Sequence, residues 1–238
     1  MVSGLGRAKG MGSKMKKIID DIRRGFFEKE HFGKRLMIVI AAVIMMGFAL
    51  SFLILADLGT DPCTMMNRAI SAKLGMSFGN WQALLNTILL VAVVLFGGRN
   101  LGFGTLANMF LVGYSTDFFS WLIPQVIPVE IFRAAWVRGV VFVPALVLFI
   151  LAASVYMDVD MGTAPYDAIS FILSERLKRV PFTIIRIAYD FLVIGIALLF
   201  GAKLQIVTVL MAVALGPVIS FLGPKLERWI YVTENKGL

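Results

Sequence analysis

The sequence predicts an all-α membrane protein with two internal repeats, each of three transmembrane helices plus a short re-entrant or interfacial helix after a Gly-Thr-x-Pro break. Three observations lead there. Of 238 residues, 59% are hydrophobic and only 16% charged, against about 25% charged in an ordinary soluble domain. Apolar runs without a single Asp, Glu, Lys or Arg recur along the chain. And the segment DLGTDP at 57–62 returns as DMGTAP at 160–165.

The first 35 residues carry ten Lys/Arg and four Asp/Glu, and the rest of the chain thirteen and eleven. The net charge of +8 is therefore a basic arm on a nearly neutral body. The interleaving of basic and aromatic residues that a nucleic-acid surface needs is absent. Within the arm Met15, Ile18, Ile19, Ile22 and Phe26 fall at helical spacing, with Lys14, Lys17, Asp21 and Arg24 largely opposite. That pattern predicts an amphipathic helix on the cytoplasmic membrane surface, serving as a topology anchor.

A span needs about 20 apolar residues. Residues 36–56, 74–98, 139–157 and 204–224 supply charge-free runs; 101–121 adds one with Asp117 near its end, and 181–202 one interrupted by Arg186 and Asp190. Six spans with the N-terminus inside place seventeen Lys/Arg in the cytoplasm and five outside, as the positive-inside rule requires. An eight-span alternative, with 62–77 and 164–180 also crossing, gives the same basic inside. The resulting organisation is a basic cytoplasmic arm (1–35), membrane repeat 1 (36–121), membrane repeat 2 (138–222) and a cytoplasmic tail (223–238).

The repeat extends well beyond the hexapeptide. At an offset of 103 residues Ser71 faces Ser174; after a one-residue shift Phe78 faces Phe182, Gln82 faces Arg186 and Asn86 faces Asp190; further on Thr105 faces Thr208 and Gly113 faces Gly216. The segments after the two breaks, 62–74 and 165–178, are short and amphipathic, which suits re-entrant or interfacial helices better than lipid-facing spans. Three spans per unit invert the second unit relative to the first, the plan of many secondary transporters.

Two sets of residues are candidates for chemistry. In the breaks, Gly59 and Gly162 permit a bend, Asp61 is a preferred N-cap, and Pro62 and Pro165 suit the first helical position; these features can serve helix initiation alone. Read functionally, two helix N-termini meet in a cavity where Thr60, Asp61, Asn67, Thr163, Asp167 and Ser170 face a solute. Asp57, Asp61, Asp158 and Asp160 compensate the positive helix ends and turn preference toward a cation or a coupling ion. The second set is Arg186 and Asp190, four apart and so on one helix face. Charges inside a bilayer are costly, so the two either pair structurally or line a cavity together with the polar pair Gln82 and Asn86.

The quoted break motifs resemble those of the YczE/YyaS/YitT family of bacterial integral membrane proteins, in particular its YczE-like branch, with Asp57-Leu-Gly-Thr-Asp-Pro-Cys and its echo at Asp160 as the best marks, over residues 35–222. The resemblance implies a multi-pass protein of the bacterial cytoplasmic membrane and says little about substrate. Nothing here matches the soluble C-terminal domain expected of YitT-type members.

The function expected is transport of a small polar solute, with the site between the repeats and both termini cytoplasmic; the alternative is a non-transporting scaffold or accessory subunit. The bilayer and that solute are the expected partners. With one His (His31) and one Cys (Cys63), no triad and no metal-ligand set is available, so no enzyme activity, cofactor or metal is expected.

Overall fold

The computed structural model, in which each expected apolar run is helical and the run 101–121 is divided among three helical elements, describes Phe26 and residues 31–96 and 101–232, the side chains of Ser220 and of residues 223–232 excepted. The amphipathic helix expected over 14–27 lies, apart from Phe26, outside the described residues. Among those residues every regular element is helical. The order is α1 (Phe32–Ala56), α2 (Pro62–Leu74), α3 (Phe78–Leu95), α4 (Phe103–Ala107), a π-helical turn (Asn108–Val112), α5 (Gly113–Val126), a 3-10 turn (Val129–Arg133), α6 (Ala135–Asp158), α7 (Pro165–Arg176), α8 (Phe182–Leu199) and α9 (Ile206–Val232). Four of them, α1, α3, α6 and α8, are long and apolar enough to cross a membrane. At 1.5 Å per residue α2 and α7 reach only about 20 Å, short of the roughly 30 Å hydrocarbon core.

Local chemistry sets the boundaries. Asp61 caps α2, its side chain accepting the Thr64 N–H, and Pro62 follows at the first helical position. Ser77 caps α3 through the Asn80 N–H, so that helix starts at 78 rather than 74. Both breaks bend through left-handed backbone: Asp57 has φ 49° and Gly59 φ 131°, and, 103 residues on, Asp160 has φ 52° and Gly162 φ 114°.

The core is the contact between α1 and α6. Arg35, early in α1, donates to the Val159 carbonyl beyond the end of α6 at 2.8 Å. Arg138, early in α6, donates to the carbonyls of Ala56 and Asp57 at the end of α1 and pairs with Asp57. The two helices therefore run antiparallel. Val39, Val43, Leu50, Leu53, Phe149 and Tyr156 are buried between them and their neighbours. Ser51 and Ser154 turn their hydroxyls back onto the carbonyls of Phe48 and Ile150, which satisfies them without water. Outward-facing Met37, Ile44, Ile88, Val140 and Leu192 are exposed, as a lipid-contacting surface requires.

Further contacts cross between halves. The first break meets the start of α9, where Thr60 N–H donates to Thr208 Oγ1 at 3.3 Å. The second meets the start of α4, where Gly104 N–H donates to the Met161 carbonyl at 2.7 Å and Thr105 Oγ1 to the Thr163 carbonyl at 2.9 Å. Helix α2 packs on α8, and α7 on α3.

α3 and α5 approach backbone to backbone at Gly79 and Gly113, where a Cβ on Gly113 would stand 2.8 Å from the Gly79 Cα. Asp117, near the end of its predicted span, accepts the Gly79 N–H at 2.8 Å. Gly113→Val is expected to force this crossing apart and cost about 1–3 kcal/mol by overpacking, read as a lower unfolding midpoint in detergent; an unchanged midpoint would show that the two helices separate freely.

Candidate functional site

The N-terminal turns of α2 and α7 open on one cavity of about 400 Å³. Asp61, Cys63 and Thr64 reach it from α2, and Ala164, Tyr166 and Asp167 from α7. Gln82 of α3, Asn108 of the π-helical turn and Arg186 of α8 add polar groups; Met46, Leu50, Phe149, Leu215 and Ile219 form apolar wall. A cavity of this size with a few convergent polar groups is the usual form of a small-molecule site.

Its polar side centres on Arg186. The guanidinium bonds Asp167 through Nη1 and Asp190 through Nε, the latter at 3.3 Å. The Tyr166 hydroxyl donates to Asp190 at 2.6 Å, and the guanidinium carbon lies 5.3 Å from the Tyr166 ring centre, a cation–π geometry. Tyr189 packs 4.8 Å from Tyr166. The side chains of Arg186, Asp167 and Asp190 are 19%, 18% and 5% exposed, so the pairs are little screened by solvent. Arg186 is thus held inward by α7 and by its own helix.

Asp61 is held differently. Its residue is 8% exposed; Oδ1 accepts the Thr64 N–H at 3.0 Å, while Oδ2 has no hydrogen-bond partner. Where α2 is capped by Asp61, α7 has Ala164 at its cap with no side-chain bond, and Asp167 stands in its first turn.

Four of the ten residues singled out from sequence line this cavity: Asp61, Gln82, Asp167 and Arg186. Asp190 sits directly behind Arg186. Asn86 is buried in α3, outside the lining. Asn67 is committed to structure, accepting the Trp81 Nε1–H at 3.1 Å and approaching Cys63 Sγ at 3.5 Å. Thr60 is buried against Thr208, and Thr163 gives its carbonyl to Thr105. Ser170 is fully buried, its hydroxyl without a partner. Gly59, Pro62, Gly162 and Pro165 form the bends and first helical positions. Sequence reasoning missed Tyr166, Asn108 and Tyr156, whose hydroxyl donates to the Gly162 carbonyl at 3.0 Å. Tyr166 had a signal: it follows Pro165 and replaces Cys63 of the first break.

Residues 33–224 match the family of unknown function DUF6198, and the chain belongs to it. It is similar to the YyaS protein of Bacillus subtilis (22% identity over 195 residues, 82% of this chain and 95% of the relative). It is similar also to the membrane protein YczE of the same organism (23% over 200 residues, 83% and 89%), and to a Haemophilus influenzae protein (21% over 203 residues, 85% and 89%). The resemblance read from the break motifs to YczE and YyaS is thereby borne out. No solved structure matches the chain. Together with its apolar helices, the likeness to a membrane protein identifies the chain as an integral membrane protein.

Proposed function

We propose that the protein is a multi-pass transporter of a small polar solute in the bacterial cytoplasmic membrane, built from two inverted repeats with its site between them and both termini cytoplasmic. The observation that carries the reading is the shared cavity: the first turns of two short helices, one from each half, face it, and broken helices meeting at such a site are a recurring transporter plan. The repeat is supported by reciprocity. Arg35 and Arg138, Ala56 and Val159, Thr105 and Thr208, and Gly59 and Gly162 each stand 103 residues apart: each Arg donates to the carbonyl at the end of the opposite helix, each Thr hydroxyl meets the backbone of the other half's break, Thr208 as acceptor and Thr105 as donor, and each Gly takes a positive φ. The antiparallel α1 and α6 give that relation its inverted sense. In this reading the protein carries out no catalytic chemistry.

Side-specific labelling tests the inversion. Lys73 and Arg176, at the ends of α2 and α7, are both exposed. In a Cys63→Ala background, Lys73→Cys is expected to react with an impermeant thiol reagent from outside the cell, and Arg176→Cys only from the cytoplasmic side. Reaction of both from one side would contradict the inverted arrangement.

A further inference from the structure

We propose that the cavity selects a monovalent organic cation, a protonated amine with an apolar body, whose ammonium group seats on Asp61. The inference rests on the transport reading and narrows its solute. Among the described residues, the charged side chains that line the cavity are Asp61, Asp167 and Arg186, with Asp190 one bond behind. Three carboxylates stand against one guanidinium, an excess of two formal negative charges. That guanidinium is already paired with Asp167 and Asp190, so its charge is answered within the protein and a solute carboxylate would meet a net negative cluster.

Asp61 supplies the independent observation. Asp61 lines the cavity and its Oδ2 is buried without a hydrogen-bond partner; a buried carboxylate oxygen left so is costly. An ammonium group offers what is missing, a positive charge and three N–H donors. The positive end of α2 is meanwhile answered by the Asp61 cap itself, which removes that helix end as an anion site. The apolar wall of Met46, Leu50 and Phe149 suits a hydrocarbon body.

Phenethylammonium, phenylacetate and free phenylalanine share one body and differ in charge. Each is titrated into the full chain in detergent, with tryptophan fluorescence and the thermal midpoint as readouts. Phenethylammonium is expected to bind and raise the midpoint; phenylacetate and phenylalanine are expected to bind at least ten-fold more weakly. Asp61→Asn keeps a capping oxygen for Thr64, so it is expected to fold while its affinity for phenethylammonium falls about ten- to hundred-fold; Asp61→Glu is expected to retain most of it. No binding of phenethylammonium, equal or tighter binding of phenylacetate, or an unchanged affinity in Asp61→Asn would overturn the inference, and the wild-type series decides the matter even where a variant does not accumulate. Uptake into proteoliposomes is a separate arm. Binding without uptake refutes transport and leaves the charge preference standing, whereas uptake of phenylacetate with exclusion of phenethylammonium does the reverse.

Discussion

Arg186→Gln is expected to destabilise the protein by about 3–5 kcal/mol, the usual consequence of removing one member of a buried ionic group and leaving the others uncompensated. Asp167 and Asp190 would then face each other across α7 and α8 without the cation that both now contact. Asp190→Asn is the milder change. It leaves the Arg186–Asp167 pair and an oxygen to accept the Tyr166 hydroxyl, so a cost of about 1–2 kcal/mol is expected. The double variant Arg186→Gln/Asp190→Asn brings α8 to the chemistry that α3 has at Gln82 and Asn86, and is expected to recover most of the single Arg186→Gln loss. Thermal unfolding of the three variants in detergent measures this. An Arg186→Gln protein as stable as wild type would mean that the guanidinium is not held between the carboxylates. A double variant that folds and still moves solute at the wild-type rate would remove the pair from the mechanism.

Gly162→Ala carries the second large effect. At φ 114° a β-carbon is strained wherever it points. Here it would also lie 2.6 Å from the Gly102 nitrogen and 2.6 Å from Thr105 Oγ1, so the second break would have to leave the start of α4. Strain and overpacking together are expected to cost about 2–4 kcal/mol. Gly195→Ala is the control, because no atom lies within 4 Å of its added carbon; in a helix interior that change is expected to be neutral or stabilising by up to about 1 kcal/mol. Equal midpoints for the two variants would deny that the break is locked against α4.

These two sites differ in how far the sequence announced them. The break motifs were legible because their chemistry is local: Asp61, Pro62 and the glycines act within four residues of where they stand. The short helices α2 and α7 were legible for the same reason, by the Pro that opens each, the Asp61 cap of the first and their amphipathic length. Arg186 and Asp190 were visible as charges in an apolar run, but the choice of Asp167 and Tyr166 as partners depends on how α7 crosses α8, which no local pattern encodes. Arg35 and Arg138 read only as topology charges, although their spacing of 103 residues marked them as a pair. Asp117 read only as a charge near the end of a span because its partner, a backbone N–H at Gly79, leaves no trace in side-chain chemistry. The π-helical turn at Asn108–Val112 sits in an unbroken apolar run, where nothing in residue type separates it from ordinary helix.

Transport by the proposed route requires the cavity between the halves to open alternately to the two sides of the membrane, and Cys63 tests this most directly. It is the one cysteine of the chain and lines the cavity from the first turn of α2, so the unmodified protein serves. A small impermeant thiol reagent is applied to right-side-out and to inside-out vesicles, and modification of Cys63 is read by mass spectrometry. Transport through this cavity is expected to give modification from both sides, at unequal rates set by the resting state. Modification from one side only, or from neither, would contradict it.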